Sequence, residues 1–546
     1  MKVVYSIVLC VIAMVIFVGC RSSEEIRKNR IADAWIARMN AAQRDIDANR
    51  TLTLVDCIQM AWEWNLDYQV EELRERILNE QVTASALGML PDLIVSNDYR
   101  VRSNMPGSSS QNILTGSQTY AYSRSSDENE NDFKVEFALS LLDFGLAFFN
   151  TVQAHDRQMI AKEQRRRAQQ NLTLEVVRAY FKVAATQDAI DQTEELLKRC
   201  DGLLDTFKQL AESSAVDRMM VLDERKRFYN LMQRLTEYRR NYNNSCIELR
   251  ALMGLRPGSK IMVDTSALKE FKSVTLPAPE DLEKIALVER PELYQLDTQS
   301  NITTTECYKT ILMMIPSVRA TADLTNSNNP FLYNQTWWEV AVRSAYNLMK
   351  LPQQVAELRA KNSEAEEIKL RRLALSVGIM AQVRMAHANI LDVEDRYRLQ
   401  ENIYLTHKES LETARAKSEG SGTLSRLVLD RMEMETVEAM ISRTLAMSNY
   451  YVAYYRLLNT VGLEEISEAT LNEILEEIKQ QESVLAGVEV DADRMKREQA
   501  LMRDNVMKYN GIEIHNNTID PNSSLRNQLD LLFEQENIKS REVQTN

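Results

Sequence analysis

The sequence predicts a mainly α-helical chain that carries a small set of β-strands and is built twice on one plan. Segments 54–88, 146–211, 216–253, 353–418 and 425–461 hold no proline except at their ends, and their apolar and charged residues alternate at spacings of three and four. Between them lie stretches that alternate with period two. The third observation is the duplication: a helix, a short extended patch after a proline and then two long helices occur near 52–255 and again near 281–462.

The helices are too long for an ordinary globular core. At 1.5 Å per residue, segment 146–211 would span roughly 100 Å, which calls for coiled-coil-like packing against other helices. Leu174, Val177 and Ala184, with the small Ala179 and Ala185 among them, suit close helix contact, and Arg165-Arg166-Arg167 reads as a solvated face.

The extended pieces follow prolines or loops. After Pro91, the run Leu93 to Arg102 begins apolar and then alternates. Phe133 to Leu141 alternates throughout, placing Phe133, Val135, Phe137, Leu139 and Leu141 on one face. The second half supplies Ser317 to Leu324 after Pro316, and Trp337 to Tyr346, with Trp337, Trp338 and Tyr346 at its ends. Such alternation fits a membrane strand with aromatic belts, and equally a strand half-buried in a soluble sheet. In hydrocarbon, four strands cannot close a barrel, because open edges leave backbone groups unpaired; a membrane location would therefore require several copies of the chain. Residues 104–131 and Thr325 to Thr336 read as the loops beyond the strands.

Composition excludes several classes. The chain has 546 residues, with 79 acidic against 66 basic, a balance that argues against nucleic acid as a partner. Cys57, Cys200, Cys246 and Cys307 lack metal-type spacing and read as small apolar residues with no bridge expected. The four histidines, His155, His387, His407 and His515, lack HExxH spacing, and neither GxSxG nor GxxxxGKS occurs. No enzymatic activity, cofactor or metal is expected. The 24 methionines, among them Met219-Met220 and Met313-Met314, read as helix formers and gap-fillers.

The chain begins with a hydrophobic leader. Lys2 is the only charge before Val3 to Val18, a run that has the length of a secretory h-region and falls short of a comfortable membrane span. Gly19-Cys20 followed by Arg21-Ser22-Ser23 resembles the lipobox of bacterial lipoproteins, which implies cleavage after residue 19 and lipidation of Cys20. Arg21, where an aspartate would mark inner-membrane retention, points to the outer membrane. Several acyl chains on one residue would tether the chain firmly; one would hold it only marginally.

The remaining motifs resemble one family. Leu52-Thr53-Leu54 through Ala61 to Asn65, Leu142-Asp143-Phe144-Gly145, Ala179-Tyr180-Phe181 with Ala184-Ala185, Leu252-Met253-Gly254-Leu255 and Arg290-Pro291-Glu292-Leu293 are similar to the motifs of the TolC-like outer membrane efflux proteins across roughly 50–462. Thr53 is expected to cap the opening helix with Asp56 completing a capping box, and Gly145 to let the chain turn sharply from strand to helix. The resemblance implies a homotrimer in which four strands per chain complete a twelve-stranded transmembrane β-barrel, continued by a periplasmic α-helical barrel. Its partners would be a periplasmic adaptor protein, an inner membrane transporter and outer membrane lipid, with substrates passing through unchanged. The Gly420-Ser421-Gly422-Thr423 tip followed by Val428-Leu429-Asp430 makes Asp430 the first candidate for a periplasmic gate, with Asp217 and Asp223 of the first repeat beside it; a ring of carboxylates would attract cations.

The expected division is a signal peptide at 1–19, a lipid-anchored segment at 20–50, repeats at 51–258 and 281–462, and a charged helical extension with a polar tail at 463–546. The competing class is a lipid-anchored periplasmic coiled-coil that organises the envelope without crossing the membrane. Strands placed at matching points in both repeats favour the channel.

Overall fold

The computed structural model describes residues 23–43, 50–119, 121–212, 217–256, 258, 261–417, 423–463 and 473–481. Cys20, the Gly420-Ser421-Gly422 tip and the tail beyond 481 lie outside them. Helix α1 (Ser23–Gln43) precedes the two-residue strand β1 (Thr51–Leu52). Thr53 then starts α2 (Leu54–Trp64): its hydroxyl accepts from the Asp56 amide at 3.2 Å, and the Asp56 carboxylate accepts from the Thr53 amide at 3.0 Å, which is the expected capping box. The single helix expected over 54–88 is divided at Asn65. This residue leaves the helical region, and its side-chain oxygen caps α3 (Leu66–Leu87) through the Tyr68 amide at 3.0 Å. A short amide side chain that competes for backbone groups ends one helix and begins the next.

Beyond Pro91 the chain extends into β2 (Asp92–Val101), which pairs antiparallel with β3 (Asn129–Ser140). Strand β3 runs directly into α4 (Leu141–Glu212), where the Ser140 hydroxyl accepts from the Asp143 amide at 3.3 Å. This corrects the expectation for Gly145, which sits inside α4 and is not among the glycines of positive φ. It provides room instead: a β-carbon there would lie 2.7 Å from Leu312 Cδ2. Helix α5 (Arg218–Leu252) returns along α4, and β4 (Met262–Val263) pairs parallel with β1, tying the end of the first half to its start.

The second half repeats the order with α6 (Pro279–Glu289), α7 (Pro291–Leu312), β5 (Ser317–Ser327), β6 (Thr336–Ala345), α8 (Leu351–Lys417) and α9 (Thr423–Val461). All four long strands form one antiparallel sheet in the order β2-β3-β5-β6, so the two halves join where β3 pairs with β5. The unit Met1–Ser467 contains this fold; in the unit Glu468–Asn546, residues 473–481 are helical.

The duplication extends to single hydrogen bonds. Gly254 follows α5 with φ +66, where an added β-carbon would lie 2.4 Å from the Trp64 carbonyl oxygen, and Asn65 donates to the Leu252 carbonyl at 3.0 Å. Gly462 follows α9 with φ +91 against the Glu289 carbonyl, and Arg290 donates to the Thr460 carbonyl at 3.1 Å. In each half, the residue between the two short helices holds the carbonyl two positions before the closing glycine.

The main core gathers around the middle of α4. Val176, Val177, Ala179, Tyr180, Phe181, Val183, Ala184 and Ala185 are buried there with Cys57, Leu249, Met253, Val263 and Met447. Small alanines let neighbouring helices approach, as expected, while Leu174 is only half-buried. The reading of Arg165-Arg166-Arg167 as a solvated face is corrected. Arg165 pairs with Glu75 of α3 at 3.0 Å, Arg166 with Glu289 of α6 at 3.0 Å and Arg167 with Glu292 of α7 at 2.8 Å. Consecutive helical residues point about 100° apart, so three in a row reach three neighbours when the helix is surrounded.

Candidate functional site

The sheet has two chemically distinct faces, because the strand period is two. The register aligns Val95, Val135, Leu324 and Trp338 across β2, β3, β5 and β6, with Phe137, Ala322 and Val340 in the next row. These residues form an apolar face open to the surroundings; Val95, Trp338, Val340 and Val342 are 61–77% exposed. Trp337 and Trp338 fall on opposite faces, so only Trp338 belongs to the apolar one.

The other face is charged. Lys134 bonds Asp323 at 2.8 Å and Glu136 at 3.1 Å, Arg319 reaches Glu136 at 3.2 Å, and Arg100 pairs with Asp132 at 2.7 Å. Connection 328–335 folds over the end of this face. Asn329 and Leu332 line a recess of about 360 Å³, together with Asp98, Asp132, Lys134 and Trp337. Asn329 donates to the Ser125 carbonyl at 3.0 Å, and the Arg124 guanidinium lies 4.9 Å from the Phe331 ring centre, so both connections meet there.

At the opposite end of the long helices lie the candidate aspartates. Asp217 is exposed and caps α5, its carboxylate accepting from the Met219 amide at 3.1 Å. Asp223 is exposed on the same helix and pairs with Arg227 at 3.1 Å. Asp430 is half-buried on α9, and its charge raises the pKa of Arg199 as the last of several causes, led by the hydrogen bond from Arg199 to Glu195. The structure joins the residues next to two of these aspartates: Arg431 on α9 forms an ion pair with Glu224 on α5 and another with Glu435. Arg199 of α4 bonds Glu433 at 3.1 Å, Arg415 of α8 meets the same carboxylate, and Arg234 of α5 bonds Glu438 at 2.9 Å. Helix α9 is thereby tied to three other helices near this end. Further along, Arg443 pairs with Glu401, which also accepts from the Tyr397 hydroxyl at 2.8 Å.

These cross-helix pairs were not singled out from the sequence. Their signal was present as charges repeating along long helices, but such charges have no assigned partner until the helix order is known. Cys57 and Cys246 are buried free thiols, and burial pushes the Cys57 pKa up to about 12; Cys307 is only partly buried. Among the described residues, no group of three or more His, Cys, Asp or Glu side chains is arranged to hold a metal ion, and no helix is long and apolar enough to cross a membrane.

Comparison with known proteins agrees with this architecture. Residues 57–255 match the family described as outer membrane efflux protein. No curated protein matches over the sequence. Among solved structures, the CmeC outer membrane channel of Campylobacter jejuni superposes with a TM-score of 0.58 at 12% identity, covering 77% of this chain and 89% of that one. The open state of the MtrE outer membrane channel of Neisseria gonorrhoeae gives 0.57 at 16% identity, covering 76% and 90%. The outer membrane protein VceC of Vibrio cholerae gives 0.54 at 11% identity, covering 75% and 96%. With its duplicated long helices and four-stranded sheet, the chain shares the fold of these outer membrane channels, and residues 57–255 of its first half match the outer membrane efflux protein family.

Proposed function

We propose that three copies of this chain form a passive conduit across the outer membrane, acting with a periplasmic adaptor and an inner membrane transporter. The channels of the matched family are transport proteins that catalyse no reaction. The observation that carries the reading is the sheet: one face is apolar and exposed, the other is charged, and edges β2 and β6 have no further strand beside them among the described residues. A sheet of this kind is stable in a bilayer only when its edges are closed by further copies, giving twelve strands from three chains with the charged face lining the interior.

The helices below the two edges support the same closure. On α3, Leu66, Val70, Leu73 and Ile77 recur at spacings of four, three and four, and each is at least half exposed. On α8, Leu370, Leu373 and Val377 repeat the pattern at 59–62% exposure. Such seams suit knobs-into-holes packing between the α8 edge of one copy and the α3 edge of the next. The repeats at 51–258 and 281–462 would supply the conduit, with Cys20 as its lipid anchor after removal of residues 1–19. Asp430, Asp217 and Asp223 would stand at the periplasmic entrance.

The test is the mass of the detergent-extracted protein. A species of three chains is expected, and Leu73→Lys with Ile77→Lys should shift it toward one chain. A wild-type protein that is monomeric after mild extraction would contradict the reading.

A further inference from the structure

Antiparallel neighbours such as β5 and β6 are ordinarily joined by loops of about two to five residues that continue the plane of the sheet. Connection 328–335 is longer and bends back over the charged face. The recess of about 360 Å³ beneath it is lined by Asp98 of β2, Lys134 of β3, Ser327 of β5 and Trp337 of β6, together with Asn329 and Leu332 of the connection itself. All four strands contribute. Strand β2 lies two positions from β5 in the sheet, about 10 Å at the usual strand spacing, so the connection reaches back across most of the sheet's width.

Hydrogen bonds fasten it there. The Asn131 amide of β3 donates to the Asn328 side-chain oxygen at 2.8 Å, the Asn328 amide donates to the Asn131 carbonyl at 3.1 Å, and the Ser327 hydroxyl donates to Asp132 at 2.6 Å. Asn329 is the hub. It is only 9% exposed; its side-chain oxygen accepts from the Phe331 amide at 3.1 Å, its side-chain nitrogen donates to the Ser125 carbonyl at 3.0 Å, and its own amide donates to the Ser327 hydroxyl oxygen at 3.3 Å. A buried amide side chain bonded through both its oxygen and its nitrogen holds one conformation, because releasing it would leave polar groups unpaired. The Arg124 guanidinium over the Phe331 ring adds a second tie to the other connection. Phe331, Leu332 and Tyr333 are exposed on the single chain and give the connection an apolar rim.

We propose that connection 328–335 is an inward-folded collar at the outer mouth of the conduit, setting the size of the largest solute that can leave, with Asn329 as its positioning residue. The proposal rests on the trimeric conduit with the charged face inside. Barrels of about eight strands are filled by side chains and those of about sixteen leave an aqueous channel, so twelve strands enclose a lumen of intermediate width. A second layer of backbone stands up to about 10 Å off the strands it covers, and three copies of it would occupy a large share of that lumen. Solutes that are small, or thin and extended, would pass; bulky ones would be held back.

The test is thiol labelling from outside, on whole cells that carry the full-length protein with Glu339→Cys. This position shares the charged face with Trp337 and lies further along β6 from the connection. A small maleimide and a maleimide joined to a bulky polyethylene glycol are compared, and the parent chain without the new cysteine gives the background. The bulky reagent should react more slowly than the small one by roughly tenfold or more. Asn329→Ala, and separately the replacement of residues 329–333 by a pair of glycines, should each raise the bulky rate several-fold while leaving the small-reagent rate and the mass of the extracted trimer unchanged. A ratio of the two rates that stays the same in both variants overturns the collar, while labelling by the small reagent and a mass of three chains leave the conduit intact. If the small reagent fails to reach Glu339→Cys even in the glycine variant, the charged face does not line an open lumen, and the conduit and the collar fall together.

Discussion

A β-carbon on Gly254 would lie 2.4 Å from the Trp64 carbonyl oxygen, and the residue holds φ +66. Both features weigh against any side chain: a left-handed L-residue costs roughly 1–2 kcal/mol, and a backbone carbonyl fixed between two helices cannot move aside. Gly254→Ala should lower stability by at least about 2 kcal/mol in thermal unfolding of the solubilised protein. Gly145→Ala should cost only about 1 kcal/mol, because the overlapping atom is the end of a leucine side chain that can rotate. Equal losses would contradict this account of the two glycines. Acid sensitivity also has its origin in single residues. Burial raises the pKa of Glu292, but the Arg290 hydrogen bond and the nearby Arg167 lower it by more; burial likewise raises Glu401, and the hydrogen bonds from Arg443 and Tyr397 lower it by more. A carboxylate with a depressed folded pKa binds fewer protons folded than unfolded, so its contribution is complete above the unfolded value of about 4.3 and is lost as pH falls through the folded value. The melting temperature should therefore change little with these groups near neutrality and fall below about pH 4.3. Glu401→Gln should flatten that acid limb; a limb of unchanged steepness would remove Glu401 as a contributor.

The elements differ in how plainly the sequence announces them. Strands Phe133 to Leu141 and Trp337 to Tyr346 were expected within a few residues of β3 and β6, because a period of two with apolar and charged faces has few other solutions. The division at Asn65 was not expected from helical spacing, since apolar periodicity continues across it and the break depends on one side chain capping a new helix. The arginines at 165–167 were misread for a related reason. A charge run has the same composition whether water or three neighbouring helices receive it, and only the packing of α3, α6 and α7 around α4 distinguishes them. At the helix tips, Arg431 joins α9 to α5 through Glu224. If separation of these helices widens the periplasmic end, Arg431→Ala should raise channel conductance while leaving the main core folded, as followed by single-channel recording and circular dichroism. Asp430→Ala should increase leak conductance and reduce cation preference if that carboxylate lines the entrance. Unchanged conductance and preference would remove Asp430 from the gate.

Across the whole molecule, the duplication was legible in the sequence while its closure was not. Repeat lengths, prolines and glycines marked two halves, and the structure shows the same junction in each, Asn65 with Gly254 and Arg290 with Gly462. A single chain leaves the apolar strand face, the sheet edges and the seams on α3 and α8 exposed. All three are satisfied together by one arrangement of identical copies, in which the edges pair, the seams meet and the apolar face contacts lipid. The most direct measurement of this claim is single-channel conductance of the full-length protein, extracted from outer membranes in mild detergent and reconstituted into planar bilayers. Discrete, cation-preferring steps from a species of three chains are the predicted result. Continued silence from inserted protein, with Asp430, Asp217 and Asp223 neutralised as well, would contradict the account.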